Sequence, residues 1–299
     1  MKNFTSILIA ILLLASCTKT DVTIPQPNEI VVESSAMADF NAGKTVKFFN
    51  VDLATTLIAS ITEGQNQTWD YSTLNIKDTT AINYLAPVVN DSFSSATYMT
   101  AVTEIYGVGS ASSVSNSKYY GELSTSGFAS LGKSIQQVNI NLGVGSIVLP
   151  VQSIRSSDKV YSANFPMHFA DSSAKSGIIE IYKMVVTAPP LVSPNSPGYE
   201  ESITAYKNRV VASGQLKLKG YSNTLPVLVL KNSTATKISY FINGAPAPAA
   251  LLSYAGVTNG AITNSYSYSF YSPSIGFVGG IYMDSTNTTV LGASFRRNF

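Results

Sequence analysis

Any catalysis by this chain has to run on carboxylates, hydroxyls and lysines, because histidine and cysteine each occur once. His168 lies in Phe165-Pro166-Met167-His168-Phe169, flanked by apolar residues, and reads as a strand end or turn beside the core. A Ser-His-Asp or Cys-His device would have to use it, and a zinc or copper site would need more His or Cys than the chain holds. No catalytic residue, metal or cofactor is expected on these grounds. The Ser-x-x-Lys spacing of penicillin-binding enzymes occurs at Ser115/Lys118, Ser130/Lys133 and Ser172/Lys175. The same spacing recurs at Ser156/Lys159; serine and lysine are frequent enough for chance to produce it, and no helix start supports any instance. No nucleophile elbow is present, and the G-x-x-x-x-G-K-S spacing at 127–134 is followed at 134–142 by a strand pattern rather than the opening of a helix, so it does not read as a phosphate-binding loop.

Carboxylates need a fuller hearing, since two suffice to hydrolyse a glycosidic bond. Asp70, Glu104, Glu122, Asp158, Asp171, Glu180, Glu200, Glu201 and Asp284 are available. Glu180 alternates with Ile179 and Ile181, which points it from a sheet face toward solvent. Spacing along the chain brings no two acids together, and a scatter over the surface is the favoured reading. Asp284-Ser285-Thr286-Asn287 lacks the alternating acids, the glycine and the distal Glu of a calcium loop, so it reads as a turn.

Aromatics are the most suggestive feature. Tyr266, Tyr268 and Phe270 alternate with Ser265, Ser267 and Ser269, which on a strand places three rings on one face and three hydroxyls on the other. Turned inward, the rings are core. Turned outward they form, with Trp69, a platform able to stack on sugars or take up an apolar ligand. Core is favoured, because the serines suit solvent, and these four aromatics are the candidate ligand-binding residues.

The elements that carry these residues begin after an export signal. Lys2 precedes the aliphatic run ILIAILLLA at 7–15, and Leu14-Ala15-Ser16-Cys17 follows. A hydrocarbon core needs about 20 apolar residues, so this run is too short to span and has the layout of a secretory signal. The last four residues resemble the lipobox of bacterial lipoproteins. That resemblance implies cleavage after residue 16 and a diacylglycerol on Cys17, the lipidation site. Thr18, where an Asp would favour inner-membrane retention, implies the outer membrane, periplasmic or surface-facing. Residues 17–29, with Pro25 and Pro27, form an extended tether, and 30–299 form the body. Cys17 is the sole cysteine, so the body has no disulfide and must rely on its own core.

A formal net charge of +2 with four arginines lacks the basic footprint of a nucleic-acid binder. Charged residues make up only 12%, and Ser, Thr, Asn and Tyr take their place on the surface. Strands are expected at 44–49, around Trp69-Asp70-Tyr71, and at 103–106, 134–142, 146–154 and 177–187. Further strands at 202–211, 212–219, 225–231 and 235–242 read as an antiparallel meander. Residues 188–198 carry four prolines and read as a long connection and a lobe boundary. Only 35–41 and 247–254 look helical. The expected fold is all-β, with antiparallel sheets as a sandwich or a strongly curved meander and room for two lobes.

GQNQTWDYSTL at 64–74 resembles a segment common in secreted proteins of the Bacteroidota. GQLKL at 214–218 with LPVLVLK at 225–231 is similar to a β-hairpin further along those proteins, and YSPSIGFV at 271–278 to a turn before their last strands. The resemblance implies an uncharacterised Bacteroidota-type envelope family with an all-β fold and supplies no catalytic residues. The expected function is therefore a non-enzymatic lipoprotein, anchored in the membrane through its lipid, that binds or scaffolds a glycan or envelope-protein partner. A carrier of lipid or another apolar molecule in a β concavity stands second, and a glycoside hydrolase third.

Overall fold

The computed structural model describes residues 29–58, 61–88, 92–108, 111–143 and 145–297, and the fold is all-β. Cys17, the signal and nearly all of the tether lie outside the described residues. A 3₁₀ helix (Ser34–Phe40) leads into β1 (Lys44–Val51), β2 (Gly64–Tyr71), β3 (Ile76–Tyr84) and β4 (Tyr98–Val108). There follow β5 (Ala111–Ser124), β6 (Gly127–Ile135), β7 (Val138–Asn141), β8 (Ser146–Leu149), β9 (Gln152–Asn164) and β10 (Ser172–Ala188). The chain continues through β11 (Val192–Leu218), β12 (Leu225–Ile242), β13 (Ala245–Pro246), helix α1 (Ala249–Ala255), β14 (Ala261–Ser272), β15 (Gly276–Met283) and β16 (Val290–Arg296).

Twelve strands form one sheet in the order β3-β1-β16-β15-β14-β12-β11-β10-β8-β7, with β13 beside β12 and β2 beside β11. A second sheet has the order β4-β5-β6-β9. All described pairings are antiparallel except β2 on β11. The large sheet is strongly curved. Counting from β2 through β11, β12, β14 and β15, β16 is five strands away, about 24 Å across a flat sheet. Yet the Tyr71 ring of β2 lies 5.2 Å from the Phe295 ring of β16. Phe49, Trp69, Val229, Phe270, Val278 and Ile281 fill the inside of this curl. The opposite face of the same strands, with Phe48, Leu228, Leu230 and Tyr271, is covered by Met37 and Phe40 of the 3₁₀ helix and by Phe165 and Met167.

Strand β11 serves two neighbours in turn. Its pairing with β10 ends at Arg209, its ladder to β12 is bulged between Val210 and Ala212, and β2 pairs with it from Ala212 onward. Gly214 makes this exchange possible: a Cβ there would stand 1.9 Å from the Gln67 carbonyl oxygen. The strand expected around Trp69-Asp70-Tyr71 starts earlier, at Gly64.

Three further readings are corrected. Residues 188–198 are not a long connection. The β10 and β11 ladders close with Ala188 opposite Val192, and Pro197 sits opposite Val185. Pro194 and Pro197 are tolerated because β12 joins β11 only from Gly198, leaving one edge of this stretch without a ladder to disrupt. The strands expected at 134–142 and 146–154 each break in two. Chain leaves the small sheet after Ile135, makes the β7–β8 hairpin on the edge of β10, and returns to the small sheet at Gln152. Pro150 marks the return, and the hairpin thereby joins the two sheets at one corner.

Candidate functional site

The four aromatics proposed as a ligand platform are in the curl. Phe270 is fully buried, Tyr268 and Trp69 nearly so, and Tyr266 packs half-buried against the same core. Trp69 meets Phe270 edge-on at 5.6 Å. Ser267 and Ser269 lie on the other face, where Asn232 donates to both. This is the inward arrangement, and it offers no stacking surface. His168 is a turn residue. Its backbone N–H donates to Asp171, and its Nδ1 lies 3.2 Å from Glu29.

Most of the acids are local. Asp70 is exposed and accepts from Ser72, which holds its carboxyl below the usual range. Glu122 pairs with Lys159 and Asp158 with Lys175. Asp284 accepts from the backbone of Thr288 and Thr289 and closes the expected turn. Glu201 is adjacent in sequence to Glu200 and so faces the other side of the sheet.

Glu104, Glu180 and Glu200 behave differently. They converge in the space between the two sheets, so Glu180 does not face solvent as its spacing suggested. Ile181 is the exposed neighbour, while Glu180 accepts hydrogen bonds from Ser156 and Tyr182. On the small sheet, Lys133 donates to both oxygens of Glu104 at 3.0 and 3.2 Å. Its ammonium lies 5.2–5.5 Å from the ring centres of Tyr106, Tyr119 and Tyr182, the last of these on the large sheet. Tyr106 donates to Glu104 at 2.6 Å, and Tyr119 donates to it as well. Burial acts to raise the Glu104 pKa, but hydrogen bonds from Ser117, Tyr106, Tyr119 and Lys133 outweigh it and hold the carboxyl down to about 2.

Tyr182, Glu200 and Tyr240 form a row across β10, β11 and β12, each directly opposite the next. The row borders a cavity of about 290 Å³. Aliphatic walls come from Ile140 and Leu142, from Ile147 and Leu149 of β8, from Met184 and Val186 of β10, and from Leu251, Leu252 and Ala255 of α1. Local sequence explains each wall. Ile140 opposes Ile147 and Val138 opposes Leu149 in the hairpin, while Asn139 and Asn141 turn outward. Asn243-Gly244, both with positive φ, reverse the chain after β12 as the hairpin-favoured Asn-Gly pair does. Leu251 and Ala255, four apart, share the inner face of α1, and left-handed Gly256 ends it. The Tyr254 hydroxyl donates to the Leu142 carbonyl, fixing helix to hairpin.

Among the described residues lining the cavity, Glu200 is the only Asp, Glu, Lys, Arg or His. Burial raises its pKa, opposed by a hydrogen bond from Tyr240 and the more distant charge of Lys133. The alternation of Glu180, Tyr182, Met184 and Val186 along β10 was the signal available in the sequence. What it faces comes from the small sheet and the β7–β8 hairpin, all earlier in the chain, and from a helix well beyond.

Comparison of the chain with protein-family models, with curated proteins and with solved structures finds no match.

Proposed function

We propose that this chain is a lipid-anchored envelope protein whose body holds a single apolar or amphiphilic small molecule in the cavity between the β7–β8 hairpin, α1 and the row Tyr182–Glu200–Tyr240. The observation that carries the reading is the cavity itself. It is walled by aliphatic side chains from several elements, with polar groups at one end, which is how small-molecule sites are generally built. Its 290 Å³ is about twice the ~150 Å³ that accepts benzene, so it suits about a dozen non-hydrogen atoms. Anchoring follows from the signal and Cys17 in the sequence, and the outer membrane from the lipoprotein resemblance.

The glycan reading loses the residues it relied on, because the stacking rings are core. A glycosidase would want two carboxylates open to a sugar, but Glu104 is occupied by four donors and Glu200 has aliphatic neighbours.

The test is to extract the full lipoprotein from its membrane in polymer-bounded discs and compare co-purifying small molecules with those of Ala255→Trp, whose indole fills the cavity. A molecule enriched with the wild-type chain supports the reading. Identical small-molecule profiles from two equally folded proteins would sink it.

A further inference from the structure

We propose that the molecule held in this cavity carries a protonated amine, bound by the Glu200 carboxylate among the surrounding tyrosine rings; this deepens the cavity reading above and rests on it. Three carboxylates, Glu104, Glu180 and Glu200, face the space between the sheets together with one lysine. That lysine is committed. Both oxygens of Glu104 and the Tyr119 hydroxyl take hydrogen bonds from Lys133, and its ammonium is enclosed by three rings. Glu180 is engaged by Ser156 and Tyr182. Glu200 pairs with no Lys or Arg among the described residues, and of the three it is the one that borders the cavity. A ligand carboxylate or phosphate would add a fourth negative charge against one positive. A ligand ammonium would bring a second positive charge against three negative, leaving the cluster without a positive excess.

Lys133 shows that this environment accepts an ammonium. Tyr106 and Tyr182, two of the rings that flank it, also line the cavity, so a cation near Glu200 would meet aromatic faces as well as an anion. Among the described residues, no three acids, histidines or cysteines are placed to hold a metal ion together. The cation that fits is therefore organic, with an apolar body lying along Ile140, Leu149, Val186 and Leu251.

The experiment uses the full chain in membrane discs and calorimetric titration with three probes of one shape: phenylbutylamine, phenylbutanol and phenylbutanoate. Heats from empty discs serve as the blank. A charge-assisted hydrogen bond predicts that the amine binds at least ~10-fold tighter than the alcohol, with the acid weakest. Glu200→Gln should abolish the preference, bringing the amine to within about 2-fold of the alcohol in the same variant. Equal or tighter binding of the alcohol or acid by the wild-type chain overturns the amine assignment while the cavity reading stands. An amine preference that survives in Glu200→Gln overturns the role of Glu200. No binding by any of the three removes the cavity reading and this one together. The wild-type series decides the ligand chemistry even if the variant fails to fold.

Discussion

Replacing Lys133 by Met should leave the Glu104 carboxylate between two sheets without its cation, and the size of the effect follows from the geometry. Lys133 Nζ lies 3.0 Å from Glu104 Oε2, and the two side chains are 12% and 21% exposed. Removing one partner of a fully buried pair costs about 3–5 kcal/mol, whereas an exposed pair contributes about 0–1. Residual exposure puts this pair toward the lower end of the buried range, at about 3 kcal/mol. With a urea m-value of about 3 kcal/mol/M, the unfolding midpoint at pH 7 should fall by roughly 1 M. Glu104→Gln combined with Lys133→Met should recover most of that loss, because no uncompensated charge remains. The pH dependence has a definite sign. The Glu104 pKa is depressed to about 2, so its contribution is present above its ordinary value of 4.5 and is lost as pH falls through 2. The deficit of Lys133→Met should therefore shrink as the buffer is acidified below that ordinary value. A single variant costing less than ~0.5 kcal/mol, as at an exposed site, would refute the reasoning. So would a double variant as unstable as the single one.

Phe270→Ala should cost about 3–5 kcal/mol in chemical unfolding, because the fully buried ring touches Trp69, Tyr71 and Phe295. A loss below ~1 kcal/mol would return the 266–270 rings to the surface. Gly214→Ala should lower stability by about 1–3 kcal/mol by pushing β2 off β11, seen as faster amide exchange at 67–71; unchanged exchange would count against the parallel pairing. Glu200 has a raised pKa in the folded chain, so the folded form holds its proton at pH values where the unfolded form has lost it. Wild-type stability should fall as pH rises from 4.5 through that raised value, and Glu200→Gln should melt progressively higher than wild type over the same window; parallel pH profiles would remove the basis for it. The charged and titratable side chains gathered around Glu200 are Lys133, Glu104, Glu180, Tyr182 and Tyr240. Wild-type protein should incorporate labelled palmitate in growing cells and Cys17→Ser should not; no label on the wild-type chain, or equal label on both, would rule out a lipid on Cys17.

Period-two patterning made the strands legible. Runs such as LPVLVLK, where Leu225, Val227 and Val229 point into the curl, gave the alternation, but the strands expected at 202–211 and 212–219 are the single β11, and those at 225–231 and 235–242 the single β12. The inward choice for Tyr266, Tyr268 and Phe270 was readable because serine on the alternate face is compatible with water. Proline misled at 188–198, since its effect depends on whether a second strand is present, and that is a property of the sheet. The break at 136–137 did leave a mark, since Gln136-Gln137 interrupts the alternation of IQQVNINL and sets Ile135 and Val138 three apart where one strand would set its buried residues two apart. The cavity was illegible for a stronger reason. Tyr106, Ile140, Met184, Glu200 and Leu251 are ordinary residues in ordinary local patterns, and only long-range pairing assembles them.

Two destabilising features share one place in this fold. A void costs about 24 cal/mol per Å³, so 290 Å³ sets an upper limit of about 7 kcal/mol, reduced where the cavity opens to water. That is comparable with the whole folding stability of a typical domain, about 5–15 kcal/mol. Beside the void stands a carboxylate whose burial opposes its charge. Either feature could be removed by one substitution, a larger side chain at Ala247 or Ala255 or an amide at Glu200, with the ladders around it unchanged. Their coincidence is what a binding site requires. The same molecule relieves both, if it is apolar along the aliphatic walls and positively charged at the end that meets Tyr182, Glu200 and Tyr240.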